Sequence, residues 1–159
     1  MRRLPEAKEG AVAKKDWILA EIDELYRRFN PNALDGGGKT VVVAEDSAPM
    51  RSVICAALKS KGFEAIPAEN GLQALKKIRD SMPDCCLLDL NLPKVSGFDI
   101  LEALKKDARY SAIPILVCSA RKEKRDIIMA SKYGAAGYVT KPFEMEDLLK
   151  RIAELCGDV

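Results

Sequence analysis

The sequence predicts an α/β protein built on a doubly wound parallel sheet, with one amphipathic helix in front of it. Two observations carry this. Beyond residue 38, short apolar runs alternate five times with helical apolar patterns over about 120 residues, the rhythm of strand–helix units in a parallel sheet covered on both faces. Polar or charged residues then stand at the ends of the runs that read as central strands, namely Glu45 and Asp46, Asp89, Ser119 and Lys141, and nothing equivalent occurs at the opposite ends. In such sheets ligands bind outside the carboxyl ends of the strands.

In chain order, residues 1–14 carry mixed charge and no usable pattern. From Lys15 to Phe29 the apolar residues Ile18, Ile22, Leu25 and Phe29 fall at spacings of 4, 3 and 4, with Trp17 and Tyr26 alongside, which predicts an amphipathic helix. Asn30-Pro31 stops it, and Asp35-Gly36-Gly37-Gly38 reads as a flexible joint. The chain therefore divides into an N-terminal extension, 1–38, and a domain, 39–159.

Thr40 to Ala44 is an apolar, β-branched run suited to a strand buried on both faces. Ser47 can cap the next helix, where Met50, Val53, Ile54, Ala57 and Leu58 keep helical spacing up to Gly62. Phe63 to Ala68 is the second strand. Leu72, Leu75 and Ile78 mark a helix ended by Pro83, and Cys85 to Leu88 is the third strand. A loop with Pro93 leads to a helix with Phe98, Leu101 and Leu104. Ile113 to Cys118 is the fourth strand, and Ile127, Ile128 and Met129 belong to the helix after it. Gly137 to Val139 is the fifth strand, and Met145, Leu148, Leu149, Ile152 and Leu155 share one face of a final helix.

Composition narrows the function. With 48% hydrophobic and 31% charged residues in 159, the chain belongs to the globular class. A formal net charge of +2 is too small for a nucleic-acid footprint, and Arg27-Arg28 reads as a solvated helix face. No apolar run approaches the roughly 18 residues of a membrane span, and no apolar stretch follows the charged N-terminus, so neither a membrane segment nor a secretory leader is expected. The five cysteines (55, 85, 86, 118 and 156) show no CxxC spacing. Most lie in apolar segments, as small core residues of a protein in a reducing cytoplasm do. Neighbours on a strand point to opposite faces, so Cys85-Cys86 reads as strand core and not a redox pair. There is no histidine, which excludes a His-ligated metal, a His general base and an internal phosphohistidine.

The strand ends carry the chemistry. Glu45, Asp46 and Asp89, gathered at one edge, would repel one another and raise their pKa values. A divalent cation removes that repulsion. Magnesium prefers oxygen ligands, keeps several waters and typically uses a few carboxylates plus a phosphate. Lys141 then offers a point positive charge to an anionic oxygen. Singly, each signal is weak, because an acidic residue after a strand is usually a cap or a loop residue; together in one fold they reinforce each other.

Glu45-Asp46 after Val-Val-Val-Ala, Asp89 within Pro-Asp-Cys-Cys-Leu-Leu-Asp-Leu-Asn-Leu-Pro, Ser119-Ala120, and Thr140-Lys141-Pro142-Phe143 resemble the receiver domains of two-component response regulators. Ser119 lies 30 residues after Asp89, and Lys141 22 after Ser119, as in that family. The resemblance covers about residues 40–156, and its layout is closest to single-domain regulators of the chemotaxis type. It implies a flavodoxin-like sheet in the order 2-1-3-4-5. It makes Asp89 the phosphoacceptor, loaded from a phosphohistidine on a sensor kinase or phosphotransfer protein. It implies that Mg²⁺ is held by Asp46, Asp89, the Asn91 backbone carbonyl and, through water, Glu45. Lys141 contacts the phosphoryl group, the Ser119 hydroxyl moves to bond it, and Tyr138 is the aromatic switch. The downstream partner binds the face made by the helix before the fifth strand, that strand and the final helix. The resemblance further implies a cis Lys141-Pro142 bond and a helix opening at Gly97, and it gives Asn91 and Arg121 an influence on water access. Glu45 for the commoner aspartate and Ser119 for threonine are mild departures. A small phosphohydrolase is the runner-up, but it needs an aspartate where Asn91 stands.

The N-terminal stripe lies outside the resemblance. It is too apolar to stay exposed, and an isolated helix of about 15 residues is marginal in water. Pairing with the same helix of a second chain, giving a homodimer, is favoured over docking on its own domain.

Overall fold

A computed structural model describes residues 36–157. The expected amphipathic helix of Lys15 to Phe29 lies outside the described residues. Within them run β1 (Thr40–Ala44), α1 (Ala48–Ser60), β2 (Glu64–Ala68), α2 (Gly71–Ser81), β3 (Cys85–Leu88), α3 (Gly97–Lys106), β4 (Ile115–Ser119), α4 (Lys124–Lys132), β5 (Gly137–Thr140) and α5 (Met145–Leu155). All five strands are parallel and lie in the order β2-β1-β3-β4-β5. This is the doubly wound α/β sheet expected from the sequence.

The sheet order follows from burial. β1, β3 and β4 are covered on both faces, and Val41, Val42, Val43, Cys85, Cys86, Leu88, Ile115 and Val117 are all sealed from solvent. β2 lies at one edge, which is why it tolerates Pro67: its missing N–H falls where one flank has no neighbouring strand. Against the sheet pack Ile78 of α2, Ile100 and Leu101 of α3, and Leu148 and Ile152 of α5, all fully buried. A fully buried aliphatic side chain contributes roughly 1.5–3 kcal/mol, so these helices are fixed mainly by packing.

Local chemistry sets the helix starts. Ser47, Asn70 and Ser96 accept hydrogen bonds from the amides of Met50, Gln73 and Asp99, each satisfying a first-turn donor. α4 and α5 lack such side-chain caps and carry Asp126, and Glu146 with Asp147, in their first turns, where the helix dipole favours negative charge.

Several boundaries differ from the sequence reading: β4 and β5 each run one residue further, to Ser119 and Thr140, and two strands start later. β4 starts at Ile115, not Ile113, because the Ile113 amide closes a turn on the Tyr110 carbonyl at 3.0 Å and Pro114 cannot donate to the ladder. Phe63 precedes β2 and donates its amide to the Leu58 carbonyl at 3.1 Å, ending α1 while its ring enters the core. The Lys141-Pro142 peptide is cis.

Candidate functional site

The strand order switches direction between β1 and β3, and in such sheets ligands bind outside the carboxyl ends of the strands at that point. Glu45 and Asp46 follow β1, Asp89 follows β3, Ser119 ends β4, and Lys141 follows β5. The Lys141 Nζ donates to Glu45 Oε1 at 2.7 Å and to Asp89 Oδ2 at 3.0 Å. The two carboxylates are almost entirely buried, at 4% and 6% side-chain exposure, so these ion pairs sit in a poorly solvated pocket. Asp46 is exposed at the rim. Glu45, Asp46 and Asp89 can each bring one carboxylate oxygen to within 4.8 Å of the others.

Burial pushes Glu45 up to about 7, helped by its hydrogen bond with Asp89 and opposed by Lys141. Burial acts in the same direction on Asp89, but the hydrogen bond from Glu45, the Asn91 amide and Lys141 outweigh it and hold Asp89 below the usual carboxylate range. The Asn91 N–H donates to Asp89 Oδ1 at 2.9 Å. Burial works against the charge on Lys141, and its bonds to Glu45 and Asp89 more than offset that, raising its pKa. Of the two buried carboxyls, Glu45 thus holds a proton more readily than Asp89, which is kept toward its ionised form beside the Lys141 ammonium. Oxygen donors alone, three of them carboxylates, suit a hard divalent cation such as Mg²⁺.

Gly97 explains how α3 approaches so closely. A Cβ there would lie 2.5 Å from the Asp89 carbonyl oxygen and 2.5 Å from the Leu90 Cα. The Gly97 amide donates to the Leu90 carbonyl at 3.0 Å, tying α3 to the loop that begins at Asp89.

Ser119 is fully buried, and its Oγ accepts the Arg121 amide at 3.2 Å. The Tyr138 hydroxyl donates to the Arg121 carbonyl at 2.7 Å. Burial raises the Tyr138 pKa, while a hydrogen bond with Ser119 pulls the other way.

Sequence reasoning brought forward Glu45, Asp46, Asp89, Ser119, Tyr138, Lys141, Asn91 and Arg121, and the structure gathers them at one edge. It missed Arg51, which donates to the Glu45 and Asp46 carbonyls at 2.7 and 3.3 Å and so shapes the acidic loop. The only signal was a cation one turn into α1, which looks like any solvated helix residue. It also missed Asp126, a buried acid on α4 that lies 3.6 Å from the Arg121 guanidinium.

A five-stranded parallel sheet that brings an ionised aspartate, two further carboxylates, a hydroxyl and a lysine to its switch edge defines a phosphoacceptor signalling domain. The model of the response regulator receiver domain matches residues 41–153, and the chain belongs to that family; its function is phosphoacceptor signalling in a two-component system. It is 40% identical over 115 residues to the phosphate regulon transcriptional regulatory protein PhoB of Pseudomonas aeruginosa, covering 72% of this chain and 50% of that protein. It is 35% identical over 114 residues to the PhoB protein of Escherichia coli, with the same coverage. The chain thus spans about half the length of the curated relatives it matches. Among solved structures, the Vibrio cholerae chemotaxis protein CheY4 superposes with a TM-score of 0.70 at 28% identity, covering 74% of this chain and 98% of that one. The Mn²⁺-bound response regulator Rcp1 gives a TM-score of 0.63 at 27% identity, covering 74% and 91%. Receiver domains work with histidine kinases or phosphotransfer proteins and with downstream effectors. No helix among the described residues is long and apolar enough to cross a membrane.

Proposed function

We propose that Asp89 is the phosphoacceptor and takes its phosphoryl group from a phosphohistidine on a sensor kinase or phosphotransfer protein. The observation that carries this is the buried, ionised Asp89 carboxylate held against Lys141 at 3.0 Å beside two further carboxylates. An Asp89 oxygen attacks phosphorus in line; the O–P bond forms as the N–P bond to the donor imidazole breaks, and the imidazole leaves with the electron pair and takes up a proton. Lys141 balances charge on the transferring oxygens, which suits a reaction that asks the protein mainly for positioning and neutralisation. Asp46, Asp89 and the Asn91 carbonyl would hold Mg²⁺, with Glu45 assisting through water; a bound Mg²⁺ supplies further positive charge to the phosphoryl oxygens. The Mn²⁺-bound Rcp1 neighbour supports a divalent cation there.

Ser119 and Tyr138 form the switch. The Ser119 hydroxyl turns to the new phosphoryl oxygens, and the Tyr138 ring follows it inward. The signal leaves through the α4, β5 and α5 face, where Ile127, Ile128 and Met129 are 37%, 45% and 41% exposed and offer an apolar surface to a partner protein. Asn91 and Arg121 set the access of water to the acyl phosphate and hence its lifetime. The domain works in the cytoplasm, a reading supported by five buried cysteines that form no disulfide. The extension of residues 1–38 serves to dimerise it through the stripe from Trp17 to Phe29.

Intact-mass and peptide mass spectrometry after incubation with Mg²⁺ and acetyl phosphate test the acceptor. Wild type gains one phosphoryl group, mapped to Asp89, and Asp89→Asn keeps its fold and gains none. A label on another residue in that variant refutes the assignment.

A further inference from the structure

We infer that Arg121 couples the state of the phosphoacceptor site to helix α4 by exchanging partners between the site and the buried carboxylate of Asp126. This deepens the phosphoacceptor reading and rests on it.

Arg121 is gripped at every part of its length. Its amide donates to Ser119 Oγ at 3.2 Å, and its carbonyl accepts the Tyr138 hydroxyl at 2.7 Å. Its Nε donates to Asn91 Oδ1 at 2.9 Å, and its guanidinium carbon lies 5.8 Å from the centroid of the Phe98 ring, on α3. Its second arm reaches Asp126 Oδ1 at 3.6 Å, in the first turn of α4. One residue thus touches both switch side chains, the acceptor loop, α3 and α4.

The two ends of that guanidinium differ in what they would lose. Arg121 is 44% exposed, so solvent can take over its bonds, but Asp126 is only 11% exposed. A buried carboxylate deprived of its cation is strongly disfavoured, whereas the cation itself is easily rehydrated.

A phosphoryl group on Asp89 adds close to two negative charges and three strong acceptor oxygens. It would stand next to Asn91, whose amide bonds Asp89 Oδ1 and whose side chain already holds Arg121. Arginine forms charge-assisted bonds to phosphate readily, and a pair at 3.6 Å is a loose competitor. At the same time, movement of the Ser119 hydroxyl to the phosphoryl group removes the acceptor of the Arg121 amide. Both changes draw Arg121 off Asp126. Asp126 then keeps only the helix dipole and not its cation, and the first turn of α4, which has no side-chain cap from Glu123, opens to hydrate it. Ile127, Ile128 and Met129 follow directly after Asp126, so the exposed apolar surface shifts with that turn.

Amide hydrogen exchange of residues 122–132 in the full chain tests this, before and after loading with acetyl phosphate and Mg²⁺, with phosphate occupancy followed by intact mass. In wild type the exchange of this segment should rise several-fold on phosphorylation. Asp126→Asn, which leaves no buried charge to strand, should take up phosphate as wild type does, yet keep low exchange in this segment in both states. Asp126→Glu, which keeps the charge, should restore the difference between states. Arg121→Ala, which leaves Asp126 charged without its cation, should show the raised exchange already without phosphate and little further rise with it, and adding Asp126→Asn to it should return the segment to low exchange. A residue that merely stabilises α4 would change exchange equally in both states. A wild-type-sized rise in Asp126→Asn, or a phosphorylated wild type whose segment does not respond, overturns the coupling while leaving Asp89 as acceptor. A wild type that gains no phosphate on Asp89 removes the phosphoacceptor reading itself, and the coupling with it.

Discussion

Glu45 and Asp89 lie in one pocket and differ in protonation because their neighbours differ. Both carboxyls meet Lys141 and each other, but Asp89 also receives the Asn91 amide, whereas for Glu45 burial is the largest effect. A cation in the cluster favours the ionised form of Glu45, whose value without metal is about 7. Mg²⁺ therefore competes with a proton, and the sign is fixed: binding weakens as pH falls below that value and strengthens as pH rises through it. The rise in melting temperature on adding Mg²⁺ should be larger at about pH 8 than at about pH 6, and Asp46→Ala should abolish it at both, as thermal unfolding would record. An unchanged Mg²⁺ shift in Asp46→Ala would move the cation elsewhere. Arg121 covers the mouth of the pocket from Asn91 to Phe98. Arg121→Ala should speed loss of phosphate by roughly threefold to tenfold, a change of order 1 kcal/mol in barrier, measured as the decay of phosphorylated mass after the donor is removed. An unchanged decay would leave Arg121 without a role in shielding.

Elements deliver these residues only if they approach closely, and α3 is the tightest case. The Gly97 Cα faces backbone atoms of Asp89 and Leu90 that cannot rotate away. Gly97→Ala should cost about 1–3 kcal/mol in denaturant unfolding and slow phosphorylation by displacing the acceptor loop; full activity at wild-type stability would mean that α3 can slide. The strand and helix order was legible in the sequence because each central strand is an unbroken apolar run and each helix keeps its own spacing. The end of each strand announced Glu45, Asp89, Ser119 and Lys141 for the same reason. What stayed hidden depends on the reach of long side chains across loops. Arg51 reads as a solvated cation and Asp126 as an ordinary first-turn acid until the fold sets Arg121 over α4. The outward turn of Ile127, Ile128 and Met129 was equally hidden, since three apolar residues in a row fit any face and only Ala130 of that stretch is buried.

At the scale of the molecule, the described domain has its own sealed core and its own complete cluster of site residues. Deleting residues 1–38 should leave phosphorylation of Asp89 intact while lowering the mass seen by sedimentation from that of a dimer to that of a monomer. A deletion form and a full chain that both sediment as monomers would remove the dimer. Lys141 and Glu45 are 96 residues apart in sequence and meet at 2.7 Å, joining the loop after the last strand to the end of the first. That bond gives the order of biosynthesis a meaning. As the chain leaves the ribosome, β1 and its acids emerge first, and the lysine that completes the pocket follows 96 residues after Glu45. A chain ending before residue 141 would carry the proposed acceptor aspartate without its ammonium, and so would lack the charge expected to balance the transferring phosphoryl oxygens.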